Sequence, residues 1–141
     1  MGCMGWGGIF RDSQGQWLLG FHGYQDGGNA LQAEASALEH GLKVAWGKGY
    51  RNVICSVDCR DLLLALQDED RCQFMPSLRT IQQLLQRSWR VTLDNIPRDC
   101  NEPADWLAKR GAASPLNPWC VIEAPPWDLE TLILRDRLSS V

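Results

Sequence analysis

Residues 30–58 decide the fold, and they read ALQAEASALEHGLKVAWGKGYRNVICSVD. The first part has helical period, because its apolar residues step by four, three, four and three. This apolar stripe consists of Leu31, Ala35, Leu38, Leu42 and Ala45. Gly47 and Gly49 are typical of a helix end. The run VICSV at 53–57 is β-prone and nearly continuous, which favours an interior parallel strand covered on both faces. A helix followed by such a strand predicts an α/β or mixed-sheet domain.

Elements are predicted on both sides of this stretch. Residues 5–11 and 17–23 predict a β-hairpin, since the loop at 12–16 contains Gly15, which is free to take positive φ. A glycine-rich loop is expected over 22–29. The later predictions are helices over 60–67, 76–87 and 103–109, an acidic break at 68–70, a strand over 89–96 and a terminal helix over 127–138.

Composition limits the class of protein. The chain has 141 residues, which is enough for one domain and too few for two ordinary ones. A net charge of -3 with 45% hydrophobic residues argues against disorder. We expect an intracellular protein, nuclear or cytoplasmic, with no membrane partner, because neither a secretory leader nor a membrane-length apolar run is found. The acidic balance leaves no obvious basic stripe, so no substrate-binding residue is assigned.

Six cysteines could suggest disulfides or a metal site. They contain no C-x-x-C pair, and His22 and His40 do not complete a zinc site, so free thiols in a reducing compartment are expected. A redox or metal–thiolate site on Cys55 and Cys59 is an alternative, although three intervening residues do not match redox spacing.

Three carboxylates lie at positions where a charged side chain needs an explanation. Glu34 falls inside the apolar stripe, Asp58 directly follows the buried-type strand, and Asp105 lies in the first turn of the last helix. Each has a structural alternative. The helix dipole would favour Glu34 and Asp105 in first turns, and Asp58 could cap the helix that begins near residue 60. If the three converge, their repulsion requires a divalent cation, and Mg²⁺ prefers oxygen ligands.

Four segments, taken in order, resemble the motifs of ribonuclease H. They are GWGGIFRD at 5–12, AEASAL at 33–38, VD at 57–58 and RDCNEPADWLA at 98–108. The type 1, reverse-transcriptase-like domain of plant proteins and retroelement remnants is the most similar form, and the resemblance covers roughly residues 5 to 111. It implies a ribonuclease H-like α/β fold, a five-stranded mixed sheet with helices on both sides. It also implies Mg²⁺-dependent cleavage of the RNA strand of an RNA/DNA hybrid.

Carried over by motif, Glu34, Asp58 and Asp105 match three of the family's four metal-binding acids, which hold two Mg²⁺ ions. The fourth acid belongs to a strand before the hairpin. Met1 stands only four residues before Gly5 and no Asp precedes Asp12, so the first strand and its acid are expected to be missing.

Two hypotheses about function follow from the resemblance. One is an endonuclease that uses these acids; the other is an inactive or truncated relic that binds nucleic acid or a protein partner. The expected domains are an N-terminally truncated ribonuclease H-like domain over 1–113 and a Pro/Trp-rich extension over 114–141.

Overall fold

The computed structural model describes residues 3–97, 107–109 and 119–122. The elements in chain order are β1 (Cys3–Arg11), β2 (Trp17–Asp26), α1 (Ala30–Gly47), β3 (Asn52–Val57), α2 (Arg60–Leu66), α3 (Glu69–Phe74), α4 (Pro76–Leu85), β4 (Arg90–Asn95) and β5 (Trp119–Ile122). They fall into two compact units. The hairpin unit comprises Met1–Gly28 and Arg98–Val141, and the helical unit comprises Asn29–Pro97.

The hairpin unit contains a three-stranded antiparallel sheet in the order β1-β2-β5. Its predicted hairpin loop is confirmed. The Oδ1 atom of Asp12 accepts hydrogen bonds of 2.9 Å from the backbone N–H groups of Gln14 and Gln16. Gly15 has a φ of +80°, which glycine adopts without steric cost.

Two details of this sheet differ from the sequence predictions. β2 continues to Asp26, through most of the loop expected over 22–29, because β1 begins at Cys3 and pairs with it along its whole length. The strand β5 was not predicted at all. It pairs with β2 from Gly23↔Trp119 to Gly20↔Ile122.

Glycines leave room for aromatic rings in the hairpin unit. The ring of Trp6 lies over Gly23, where an added Cβ would stand 2.0 Å from it, and the ring of Phe21 lies similarly over Gly8. Trp6 and Phe21 are buried, and their ring centroids are 6.2 Å apart. The glycine-rich strands are therefore a packing requirement of this sheet.

The helical unit begins with a well-capped α1. Asn29 accepts a hydrogen bond from the backbone N–H of Gln32, whose side chain accepts one from the backbone N–H of Asn29, so the two form a capping box. The helix ends as predicted, with Lys48 as C-cap and Gly49 at a φ of +88°.

The core of the helical unit joins α1, α2, α3 and α4. Its buried side chains are Ala35, Leu38, Leu42, Leu62, Ala65, Cys72, Leu78, Ile81 and Leu84. The predicted stripe of α1 is buried except for Leu31, which is half-buried. Where an acidic break was expected, the chain forms α3, because Asp68 accepts hydrogen bonds from the backbone N–H groups of Asp70 and Arg71.

β3 and β4 form a parallel pair, in register from Asn52↔Arg90 to Val57↔Asn95. The parallel pairing is confirmed, but the expected cover on both faces of β3 is wrong. Cys55 packs against the helical core, whereas its neighbour Ile54 is 68% exposed.

The α/β fold class is confirmed: helices accompany both antiparallel and parallel strand pairs. Among the described residues the strands form a three-stranded sheet in the hairpin unit and a two-stranded sheet in the helical unit. Of the helix predicted over 103–109, the structure describes only the helical residues 107–109. The terminal helix expected over 127–138 lies outside the described residues.

Candidate active site

Asp58 lies at the carboxyl end of β3, one residue after the strand's last member. The parallel partner β4 ends at the same edge, since the backbone N–H of Ile96 donates to the carbonyl oxygen of Val57 at 2.8 Å. Carboxyl ends of parallel strands are where α/β sheets bind ligands. The side chain is therefore placed where a catalytic acid is useful.

The capping alternative for Asp58 is wrong. The N-cap of α2 is Cys59, and it makes no side-chain capping hydrogen bond. Asp58 is half-buried, and its Oδ1 atom is buried from solvent. Burying a carboxylate oxygen is costly unless donors or a cation compensate it. Capping of α2 therefore does not explain the position of Asp58.

Glu34 lies in the second turn of α1, as the fifth residue of the helix. The first turn contains no acidic residue, and its capping box satisfies the backbone N–H groups of Asn29 and Gln32. The alternative of a first-turn acid held by the helix dipole is therefore wrong. Glu34 is half-buried, between the buried Ala33 and Ala35.

Glu34 and Asp58 belong to the same unit and to elements that share a core. Leu38, one turn after Glu34, and Leu62, one turn after Asp58, both lie in the helical core. The third predicted acid, Asp105, lies outside the described residues. Among the residues that are described, no group of three His, Cys, Asp or Glu side chains is arranged to hold a metal ion. The grouping of all three acids stays a prediction.

Two polar residues near this edge were not singled out from the sequence. Asp94 pairs with Ser56 and Asn95 pairs with Val57, so both lie close to the carboxyl ends of the parallel strands. The side chain of Asp94 is exposed. Strand register, which the sequence does not specify here, is what places it beside the end of β3.

Cys55 and Cys72 of the helical unit are poor candidates for thiolate chemistry. Burial, and then the nearby charge of Asp94, raises the pKa of Cys55 to about 11. Burial also raises the pKa of Cys72, whose Sγ donates to the carbonyl oxygen of Ala65 at 3.4 Å. The thiolate is the reactive and metal-binding form. The raised pKa of Cys55 argues against a thiolate at one of the two cysteines of the redox or metal–thiolate alternative, which was Cys55 with Cys59.

In the part of the chain that the structure describes, no helix combines the length and the apolar character needed to cross a lipid bilayer.

Comparison with known proteins identifies a family and a relative to which the chain is similar. Residues 2–111 match a family described as reverse transcriptase-like. A relative from Arabidopsis thaliana, named "Putative ribonuclease H protein At1g65750", is 28% identical over 138 residues. The match covers 95% of this chain and 22% of the relative, so the chain spans about a fifth of the length of the curated relative it matches.

Proposed function

Because the chain belongs to the reverse transcriptase-like family of ribonuclease H-like domains, we propose that it hydrolyses the RNA strand of RNA/DNA hybrids. Glu34, Asp58 and Asp105 are the proposed catalytic acids and metal ligands. The hybrid is the proposed substrate, and the 2′-hydroxyl identifies its RNA strand. The relative's name, which mentions ribonuclease H, supports this choice of reaction.

The placement of Asp58 is the observation that supports the proposal most strongly. Its carboxylate follows a parallel strand directly, has a buried oxygen, and is not the N-cap of the next helix. Because Cys59 occupies the N-cap position of α2, helix capping does not account for Asp58. Its place at the carboxyl ends of two parallel strands supports a role in catalysis.

The described donors fit Mg²⁺ by their chemistry. Glu34 and Asp58 offer only carboxylate oxygens, which are the ligands that Mg²⁺ prefers. These two residues, with Asp105, would hold the metal. When bound, Mg²⁺ would supply charge stabilisation of the reacting phosphodiester and lower the pKa of attacking water.

The residues of the chain provide position and charge. α1 fixes Glu34 through the capping box and the buried Leu38, and the β3–β4 pair fixes the backbone that leads into Asp58. Two carboxylates would repel a phosphodiester on their own, so the same pair makes cleavage dependent on a divalent cation. Rigid placement of such groups is what an efficient hydrolytic site requires.

The test is a cleavage assay with the 141-residue chain. A hybrid labelled on either the RNA or the DNA strand is incubated with Mg²⁺, beside duplex DNA and single-stranded RNA. We expect cuts in the RNA strand of the hybrid alone, and none when the cation is removed by a chelator. Binding of the hybrid without any cleavage would contradict the proposal and favour the inactive, nucleic-acid-binding alternative.

A further inference from the structure

Four exposed cations gather at the end of the helical unit where α1 and α4 finish and β3 and β4 start. They are Lys48, Arg51, Arg87 and Arg90, and we call them the cationic surface. Lys48 is the C-cap of α1. The backbone N–H of Arg90 donates to the carbonyl oxygen of Arg51 at 2.8 Å, which makes these two arginines neighbours across the strand pair.

A tryptophan joins two of these cations. The guanidinium carbon of Arg51 lies 3.7 Å from the ring centroid of Trp46, and that of Arg87 lies 5.1 Å from it. Both distances are within cation–π range. Two guanidinium groups that share one ring repel each other, so their common placement favours an anion bound between or beside them.

Trp46 is held in place by a second tryptophan, Trp89. Trp46 packs edge-on against Trp89, with centroids 5.2 Å apart and an interplanar angle of 89°. The indole Nε1–H of Trp89 donates to the carbonyl oxygen of Leu84 at 2.7 Å. The guanidinium groups thus stand on an ordered platform, which lowers the entropy cost of binding an anion through them.

The hydrogen-bonding capacity of the cationic surface is largely unused by the described residues. No described carboxylate forms an ion pair with any of its four members, whereas Lys43 pairs with Glu39 and Arg71 with Asp61. The Nη1 atom of Arg51 donates to two carbonyl oxygens, those of Trp46 and Tyr50, at 3.0 Å each. Three further N–H donors of that guanidinium remain for another acceptor.

We propose that the cationic surface binds the backbone phosphates of a nucleic-acid strand. This deepens and rests on the function proposed above, and it assigns substrate-contacting residues away from the catalytic acids. Arg51 and Asp58 lie seven residues apart along the extended chain that includes β3, which corresponds to roughly 23 Å. A duplex carries a phosphate charge about every 1.7 Å along its axis, so its phosphates recur over a distance of this size.

Phosphate suits this surface better than the carboxylates of an acidic protein do. Stacked arginines present planar donor forks, which are the groups used to bind phosphates in nucleic-acid recognition. The whole chain has a net charge of -3 and would repel a polyanion at long range. A local cluster of unpaired cations is what overcomes that repulsion at short range.

Binding is measured by fluorescence anisotropy with a labelled RNA/DNA hybrid, in Ca²⁺ to separate binding from cleavage, over a series of salt concentrations. The test variant is R87Q/R90Q, since neither side chain hydrogen-bonds to a described residue. We expect at least a roughly tenfold loss of affinity at low salt, and a salt slope smaller by about two. Arg51→Gln, checked for its melting temperature, is expected to act in the same direction.

The matched control is R71Q/R79Q, which removes the same charge outside the cationic surface. It should bind the hybrid nearly as the unsubstituted chain does. An unchanged affinity and salt slope in R87Q/R90Q would overturn the proposal, as would equal losses in the control. Tighter binding of poly-glutamate than of the hybrid would overturn it in favour of an acidic protein. A chain that binds the hybrid through this surface but does not cleave it would contradict only the proposed hydrolysis.

Discussion

At the residue scale, two neighbouring residues at the end of β3 have different positions: one is the N-cap of α2, and the other is the carboxylate at the sheet edge. Cys59 takes the N-cap position of α2, and its backbone carbonyl accepts from the N–H of Leu62 at 3.2 Å. Asp58, a far better capping residue, stands one position earlier with a buried oxygen. α2 therefore lacks a side-chain capping hydrogen bond, and a carboxylate stands at the sheet edge instead. A local loss of stability of this kind is expected at a functional acid.

Glu34→Gln tests the second acid. Removing the negative charge should weaken Mg²⁺ binding by the chain at least about tenfold, because loss of a direct ligand costs at least as much as loss of an outer-shell partner. Calorimetric titration with MgCl₂ measures this. Glu39→Gln is the matched control on the same helix, since Glu39 pairs with Lys43. Equal Mg²⁺ affinity in the two variants would show that Glu34 is not a ligand.

Cys55 gives a prediction about alkaline stability. Its pKa rises from 9.0 to about 11 in the folded chain, mainly through burial and then through Asp94. As pH rises past the lower value, the unfolded chain loses the thiol proton first, so the free energy of unfolding falls between these two pH values. Urea denaturation at several pH values should show this decline, and Cys55→Ala should reduce it. An identical decline in that variant would contradict the assignment.

At the element scale, packing explains why the hairpin strands are rich in glycine. Gly23→Ala should destabilise the chain by about 1–3 kcal/mol, because the new Cβ would stand 2.0 Å from the Trp6 ring. Gly47→Ala, at the end of α1 with open space around it, should instead stabilise by up to about 1 kcal/mol. Thermal unfolding of the two variants measures both effects. A Gly23→Ala variant as stable as the unsubstituted chain would contradict the packing.

The elements that could be predicted are those with a strong local pattern. α1 and α4 follow from their apolar periodicity, and the β1–β2 hairpin follows from Asp12 and Gly15 in its loop. β5 could not be found in this way, because a four-residue strand is defined by its pairing with distant residues of β2. α3 was not predicted, because the acidic run at 68–70 indicated a break between helices. In the structure Asp68 is the N-cap of α3.

The candidate site was predictable to a similar extent. The motifs pointed to Glu34 and Asp58 as candidates, and periodicity placed Glu34 inside the apolar stripe of α1. The sequence could not exclude Asp58 as a cap, since Cys59 gives no local signal of capping. Nor could it show that Asp94 and Asn95 lie beside the end of β3, because that depends on register between strands far apart in the chain.

At the scale of the whole molecule, average charge conceals local charge. The net charge of the chain is -3, and the sequence alone indicated no basic stripe. The cationic surface arises only when the ends of α1 and α4 meet the starts of β3 and β4. Residues 46–51 and 87–90 are far apart in sequence, so folding rather than composition creates this candidate phosphate-binding surface.

The central claim is that Asp58 is a catalytic acid of a hybrid-cleaving site, and a comparison of two aspartates tests it most directly. Single-turnover cleavage of an RNA/DNA hybrid in Mg²⁺ is measured for the unsubstituted chain, Asp58→Asn and Asp61→Asn. Asp61 is exposed and pairs with Arg71, so its variant controls for the loss of one carboxylate nearby. The account predicts a rate at least about a hundredfold lower for Asp58→Asn and a nearly unchanged rate for Asp61→Asn. Equal rates for the two variants, or no cleavage by the unsubstituted chain, would contradict it.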